Sequence, residues 1–188
     1  MAQVNKDSFT TKHARGDYQA AIDGIITKIN EVFARHPQTC YLVGLHALAH
    51  SMAMLLGPSN PETRADWVRD LPGLLRGNIA MLDKAFGRGP RRKPFPGMVN
   101  DSHFELTIEE GAQVFELLGP MGEAMTGQPR LVGLLALSRM MSAILFEAPD
   151  EIMEHTCQRI TEVVDGFIAA LDQVMAELRA EQRQSTNH

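Results

Sequence analysis

Cysteine and aromatic side chains are both scarce in this sequence, and each scarcity excludes something. Two cysteines among 188 residues, Cys40 and Cys157, are too few for a disulfide framework, and they form no Cys-x-x-Cys pair. Aromatics make up 6% of the chain, whereas eleven methionines and many alanines and leucines favour helix over strand. No glycine-rich phosphate loop and no Gly-x-Ser-x-Gly nucleophile elbow occurs. An excess of positive charge is also missing. The formal net charge of −5 argues against nucleic-acid binding, which needs a basic face to displace counterions. Met1 to Arg15 lacks the apolar segment of a signal peptide. The most apolar stretch, Cys40 to Leu56, contains two histidines and falls short of the roughly 20 residues a membrane span requires. A cytoplasmic, reducing setting and no membrane association are therefore expected.

What the chain does contain is a repeat. Leu42 to Leu56 returns 89 positions later as Leu131 to Leu145, with eight of fifteen aligned pairs identical and no gap. The same offset matches Ile79-Ala80 and Leu82-Asp83 to Ile168-Ala169 and Leu171-Asp172. The expected fold is all-α: a six-helix bundle built from two tandem three-helix repeats with pseudo-twofold symmetry. Residues 1–16 form a polar N-terminus, 17–86 the first repeat, 87–106 a Pro-rich basic linker, 107–180 the second repeat and 181–188 a polar tail.

Within this plan the first helix carries Tyr18, Ile22, Ile25, Ile29 and Val32 as one apolar stripe and ends near His36-Pro37. Pro61 opens the third helix behind Ser59 or Asn60 as a cap. Pro72 predicts a kink or break in that helix, and Pro120 a bend or split in the fourth. Thr107 and Glu110 have the spacing of a capping box, followed by Ile108, Gly111, Phe115, Leu118, Met121 and Met125 as one face. The last helix keeps a seven-residue rhythm from Ile152 through Leu178. Gly44, Ala47 and Ser51 on one central helix, and Gly133 and Ala136 on the other, predict a close crossing of the two.

Three groups of residues carry possible chemistry. His46 and His50 are four apart on a helix, so their rings share a face and suit a transition metal or haem, given a further ligand. Glu123, Glu147, Glu151, Glu154 and His155 are the loose candidates for that ligand; the competing reading is two hydrogen-bonded histidines at the edge of a buried helix. The string lacks the glutamate of zinc metalloproteases, so peptide hydrolysis has no support. Arg88, Arg91, Arg92 and Lys93, with Phe95, form an extended basic segment that reads either as solvated linker or as a surface for an acidic partner. Cys40, at a helix start, has a dipole-activated thiol but no catalytic partner.

The reading that follows is a non-enzymatic binding, regulatory or scaffold protein acting through helical faces on a protein partner or as a homodimer. Two alternatives accompany it: a metal or haem protein using His46 and His50, and a carrier of a small apolar ligand held between the central helices. No cofactor is needed for folding.

Overall fold

Caps and prolines divide the chain where the sequence indicates. The Asn60 side chain accepts a hydrogen bond from the Thr63 N–H at 2.8 Å, with Pro61 in the first turn. Thr107 and Glu110 satisfy each other's backbone N–H groups reciprocally, at 3.2 and 2.8 Å. Gly87, at φ 73°, ends the third helix in a conformation that a side chain would strain.

A computed structural model describes residues 12–87, 105–146 and 150–185. They form α1 (Lys12–Arg35), α2 (Tyr41–Leu56), α3 (Pro61–Phe86), α4 (Ile108–Met125), α5 (Arg130–Phe146) and α6 (Asp150–Ser185). The protein is an all-α six-helix bundle. α1 begins five residues ahead of Asp17, and α6 runs on past residue 180. The basic segment containing Arg88, Arg91, Arg92, Lys93 and Phe95 lies outside the described residues.

One core takes residues from every helix. α2 and α5 are its axis: Val43, Leu45, Leu48 and Met52 of α2 and Val132, Leu137, Met141 and Leu145 of α5 are buried. α2 packs on α4, α5 and α6, and α5 packs on α1, α2 and α3; α1 also meets α4, and α3 meets α6. Burying a side chain of this size contributes about 1.5–3 kcal/mol, so the two apolar rods supply much of the drive to fold.

Several local expectations are refined. α3 and α4 are each continuous through Pro72 and Pro120, which excludes the break and the split but not the kink or bend; buried anchors on both sides, Leu71 and Leu75 around the first and Leu117 and Met121 around the second, hold each helix in place. The buried face of α4 is Val114, Leu117, Met121, Ala124 and Met125, whereas Ile108 is 91% and Phe115 65% exposed. Two apolar stripes lie side by side on that helix, and only contact with α1 and α2 selects between them. In α6 the buried line is Cys157, Ile160, Val164 and Ile168, and Val174 and Leu178 are exposed.

The small residues do not bring the glycines of α2 and α5 face to face. A Cβ built on Gly44 would meet Phe33 of α1 at 3.6 Å and Ile144 of α5 at 4.0 Å; one on Gly133 would meet Leu55 of α2 at 2.8 Å and Met125 of α4 at 3.5 Å. Each glycine receives one large side chain from its own half and one from the other. Among the described residues, no helix is long and apolar enough to cross a membrane.

Candidate functional site

α1 carries two parallel stripes. Ile22, Ile25, Ile29 and Val32 enter the core, and one position on, Asp23, Ile26, Asn30 and Phe33 form the wall of a pocket of about 990 Å³. The start of α2 contributes Cys40, Tyr41 and Gly44 to this pocket, and the last turns of α3 contribute Asn78, Met81, Leu82 and Ala85. α5 adds Arg139, Met140, Ala143 and Ile144, and the pocket opens to solvent past the exposed Asp23, Asn30, Met81 and Ala143. The glycine at position 44 leaves space that a larger residue would occupy. The volume is at the upper end of what small-molecule sites use.

The walls are mainly apolar, with a few polar groups placed among them. Asn78 is only 8% exposed, and its Nδ2 is shut from water without a hydrogen-bond partner. A buried amide donor left unpaired costs roughly 1–3 kcal/mol, which marks the position as unusual in an apolar stripe. Arg139 donates from its guanidinium to Gln19 Oε1 at 2.9 Å and stands 3.9 Å from Asp23. Gln19 in turn donates to Asp23 at 2.7 Å, so α1 fixes the guanidinium at the pocket wall. A guanidinium has five N–H donors, and these contacts use only part of them.

His46 and His50 lie on another side of α2. Their ring centroids are 5.9 Å apart and edge-on, and His50 packs on Phe167 of α6 at 4.1 Å. The His50 Nδ1 is buried without a hydrogen-bond partner. Burial, reinforced by the neighbouring His46, pushes the His50 pKa down to about 4, so the ring is neutral near pH 7. Among the described residues, no three His, Cys, Asp or Glu side chains are placed to hold a metal ion. A metal at this pair would take its remaining ligands from outside those residues. Of the loose candidates, Glu154 pairs with Arg76 of α3 and His155 is exposed.

Cys40, Glu110 and Thr107 meet beside the histidines. The Cys40 thiol donates to Glu110 Oε1 at 3.7 Å, and the Thr107 N–H donates to the same carboxylate, which holds Glu110 below the usual carboxylate range. Behind them, burial pushes the Tyr41 phenol up to about 12, although Thr156 close to its oxygen counters part of the effect. Its hydroxyl has no well-formed hydrogen bond. Burial also raises the Cys157 thiol to about 11, helped by Glu154 nearby, and leaves it unreactive.

The pocket is the feature that the sequence patterns miss. Its one sequence trace is Asn78, an amide standing between Leu75 and Leu82 on an otherwise apolar stripe. Comparison with known protein families, with curated proteins and with solved structures finds no match for this chain.

Proposed function

We propose that this protein is a non-enzymatic binder of a small, largely apolar molecule, held in the pocket between α1, α2, α3 and α5. The observation that carries the reading is the pocket itself: about 990 Å³, apolar on most sides, with Asn78 and Arg139 among its lining. Binding proteins of this kind use apolar walls for affinity and a few polar groups for orientation. The test is fluorescence titration with 1-anilinonaphthalene-8-sulfonate, together with native mass spectrometry of the purified protein. A saturable site lost in Ala143→Phe, or a copurified small molecule, supports the reading. Equal dye binding by wild type and variant, with no copurified mass, sinks it.

The pocket fits a duplicated ancestor, and we propose that residues 17–86 and 107–180 are twin three-helix units related by a pseudo-twofold axis. Exchanging α1 with α4, α2 with α5 and α3 with α6 turns the extensive packing of α2 on α6 into that of α5 on α3, and α2 on α4 into α5 on α1. Gly44 with Phe33 and Ile144 answers Gly133 with Met125 and Leu55. At the 89-residue offset, Asn78 and Arg139 answer Phe167 and His50, which pack ring on ring. On this reading, one side of an ancestral dimer kept or opened a pocket where the other is filled by Phe167.

A second reading concerns self-association. The exposed Val174, Met175 and Leu178 continue the apolar rhythm of α6 past its buried part, which favours a second copy of the chain as partner. Light scattering of wild type and Val174→Glu/Leu178→Glu tests it: a dimer that becomes a monomer supports the idea, and a monomeric wild type removes it.

A further inference from the structure

We infer that the pocket ligand is a monocarboxylate with a long apolar body, its carboxylate held by Arg139 and Asn78; this rests on the ligand-binding reading above. Asn78 lines the pocket and holds an amide donor with no acceptor in the protein; the donor is shut from water as it stands, and a turn of the side chain toward the pocket gives it a ligand oxygen to meet. The unpaired atom is an amide nitrogen, and turning the amide over would orphan its oxygen instead. A carboxylate accepts from the amide nitrogen in the orientation seen.

Arg139 selects among acceptors. Its planar N–H fork matches the two oxygens of a carboxylate, and the charge roughly doubles the strength of each bond over a neutral pair. Asp23 also lines the pocket and offsets part of that charge. Gln19 donates to one of its oxygens, so Asp23 belongs to the support that positions the guanidinium. At the matching place in the other half, His50 and Phe167 pack in contact, which supports Arg139 and Asn78 sharing one corner of the pocket.

The apolar body follows from the walls. The pocket follows α1 from Asp23 to His36, a rise of roughly 20 Å at about 1.5 Å per residue. Ile26, Phe33, Leu82 and Ile144 lie along it, while Met140 and Met81 supply flexible surfaces that adapt to a chain. A long, greasy pocket with one cationic and one neutral donor suits an aliphatic acid better than a compact polar metabolite.

Calorimetric titration of the full chain with dodecanoate, dodecanol and dodecylamine tests the assignment. Dodecanoate is expected to bind most tightly, and Arg139→Gln to weaken it roughly 10- to 100-fold while changing dodecanol about threefold or less. Arg139→Lys, which keeps the charge but not the fork, is expected to fall between. Asn78→Leu, which adds no cavity and no charge, provides a second variant should Arg139→Gln unfold. Dodecanol binding as tightly as dodecanoate, or an affinity for dodecanoate indifferent to both variants, overturns the carboxylate assignment and leaves the pocket reading standing. No binding of any of the three probes to the wild type overturns both.

Discussion

His50 is neutral in the fold and protonates readily once the chain unfolds, and that difference makes stability depend on pH. The folded value of about 4 lies below the unfolded 6.5, so the unfolded chain takes up the proton first. The stabilisation is complete above pH 6.5 and is lost as pH falls toward 4. The ring is partly exposed, so solvent screening reduces the effect to about 1–2 kcal/mol. Urea unfolding at pH 7.5 and 4.5 should show this loss in wild type and a smaller one in His50→Phe; identical pH slopes in the two would refute it. The glycines of the central helices make a second residue-scale case. Gly44→Ala puts a methyl at ordinary contact distance and gains helix propensity, so it should stabilise by up to about 1 kcal/mol. Gly133→Ala forces Leu55 to move and should gain less or lose stability. Thermal unfolding of both variants ranks them. Little of this could be read in advance, because Gly44 and Gly133 look alike in sequence, and only the side chains packed over them differ.

At the scale of the element, what is local is legible. Thr107 three residues before Glu110 implies a capping box, and the reciprocal hydrogen bonds are there. Thr107→Ala removes the cap and should destabilise the protein by about 1 kcal/mol in denaturant titration, whereas Thr107→Ser should remain within a few tenths of wild type. An Ala variant as stable as wild type would mean that α4 is held by packing alone. The stripe of α1 is equally legible, since Ile22, Ile25, Ile29 and Val32 leave one choice of buried face. α4 offers two choices, and Phe115 is the larger residue on the losing one. Neighbours decide that contest, and a single helix does not name its neighbours. The choice between kink and break at Pro72 is decided against the break in the same way: the proline disfavours the helix around it, but the buried leucines on either side keep it continuous.

At the scale of the whole molecule, the bundle is readable and the pocket is not. Six periodic segments separated by Pro and Gly imply six helices, and two apolar rods imply the axis. A void between four helices belongs to none of them, so no spacing in one segment reports it; Asn78 is a trace that becomes meaningful only once Arg139, 61 positions away, lines the same space. Such a void also sets stability against function. If the pocket exists for a ligand, the empty protein forgoes packing that a larger side chain could restore. Ala143 lines the pocket beside Ile144 and is exposed, so in Ala143→Phe the area a ring buries against the apolar wall competes with its loss of helix propensity. A net gain of about 1 kcal/mol would raise Tm by roughly 2–4 °C for a chain of this size. If dodecanoate binds in the pocket as proposed, it should raise the Tm of the wild type, and the same variant should lose that rise because the ring occupies the site. Differential scanning calorimetry with and without dodecanoate reads both effects at once. A variant that melts lower than wild type, yet responds to dodecanoate as wild type does, would place the binding site elsewhere in the bundle.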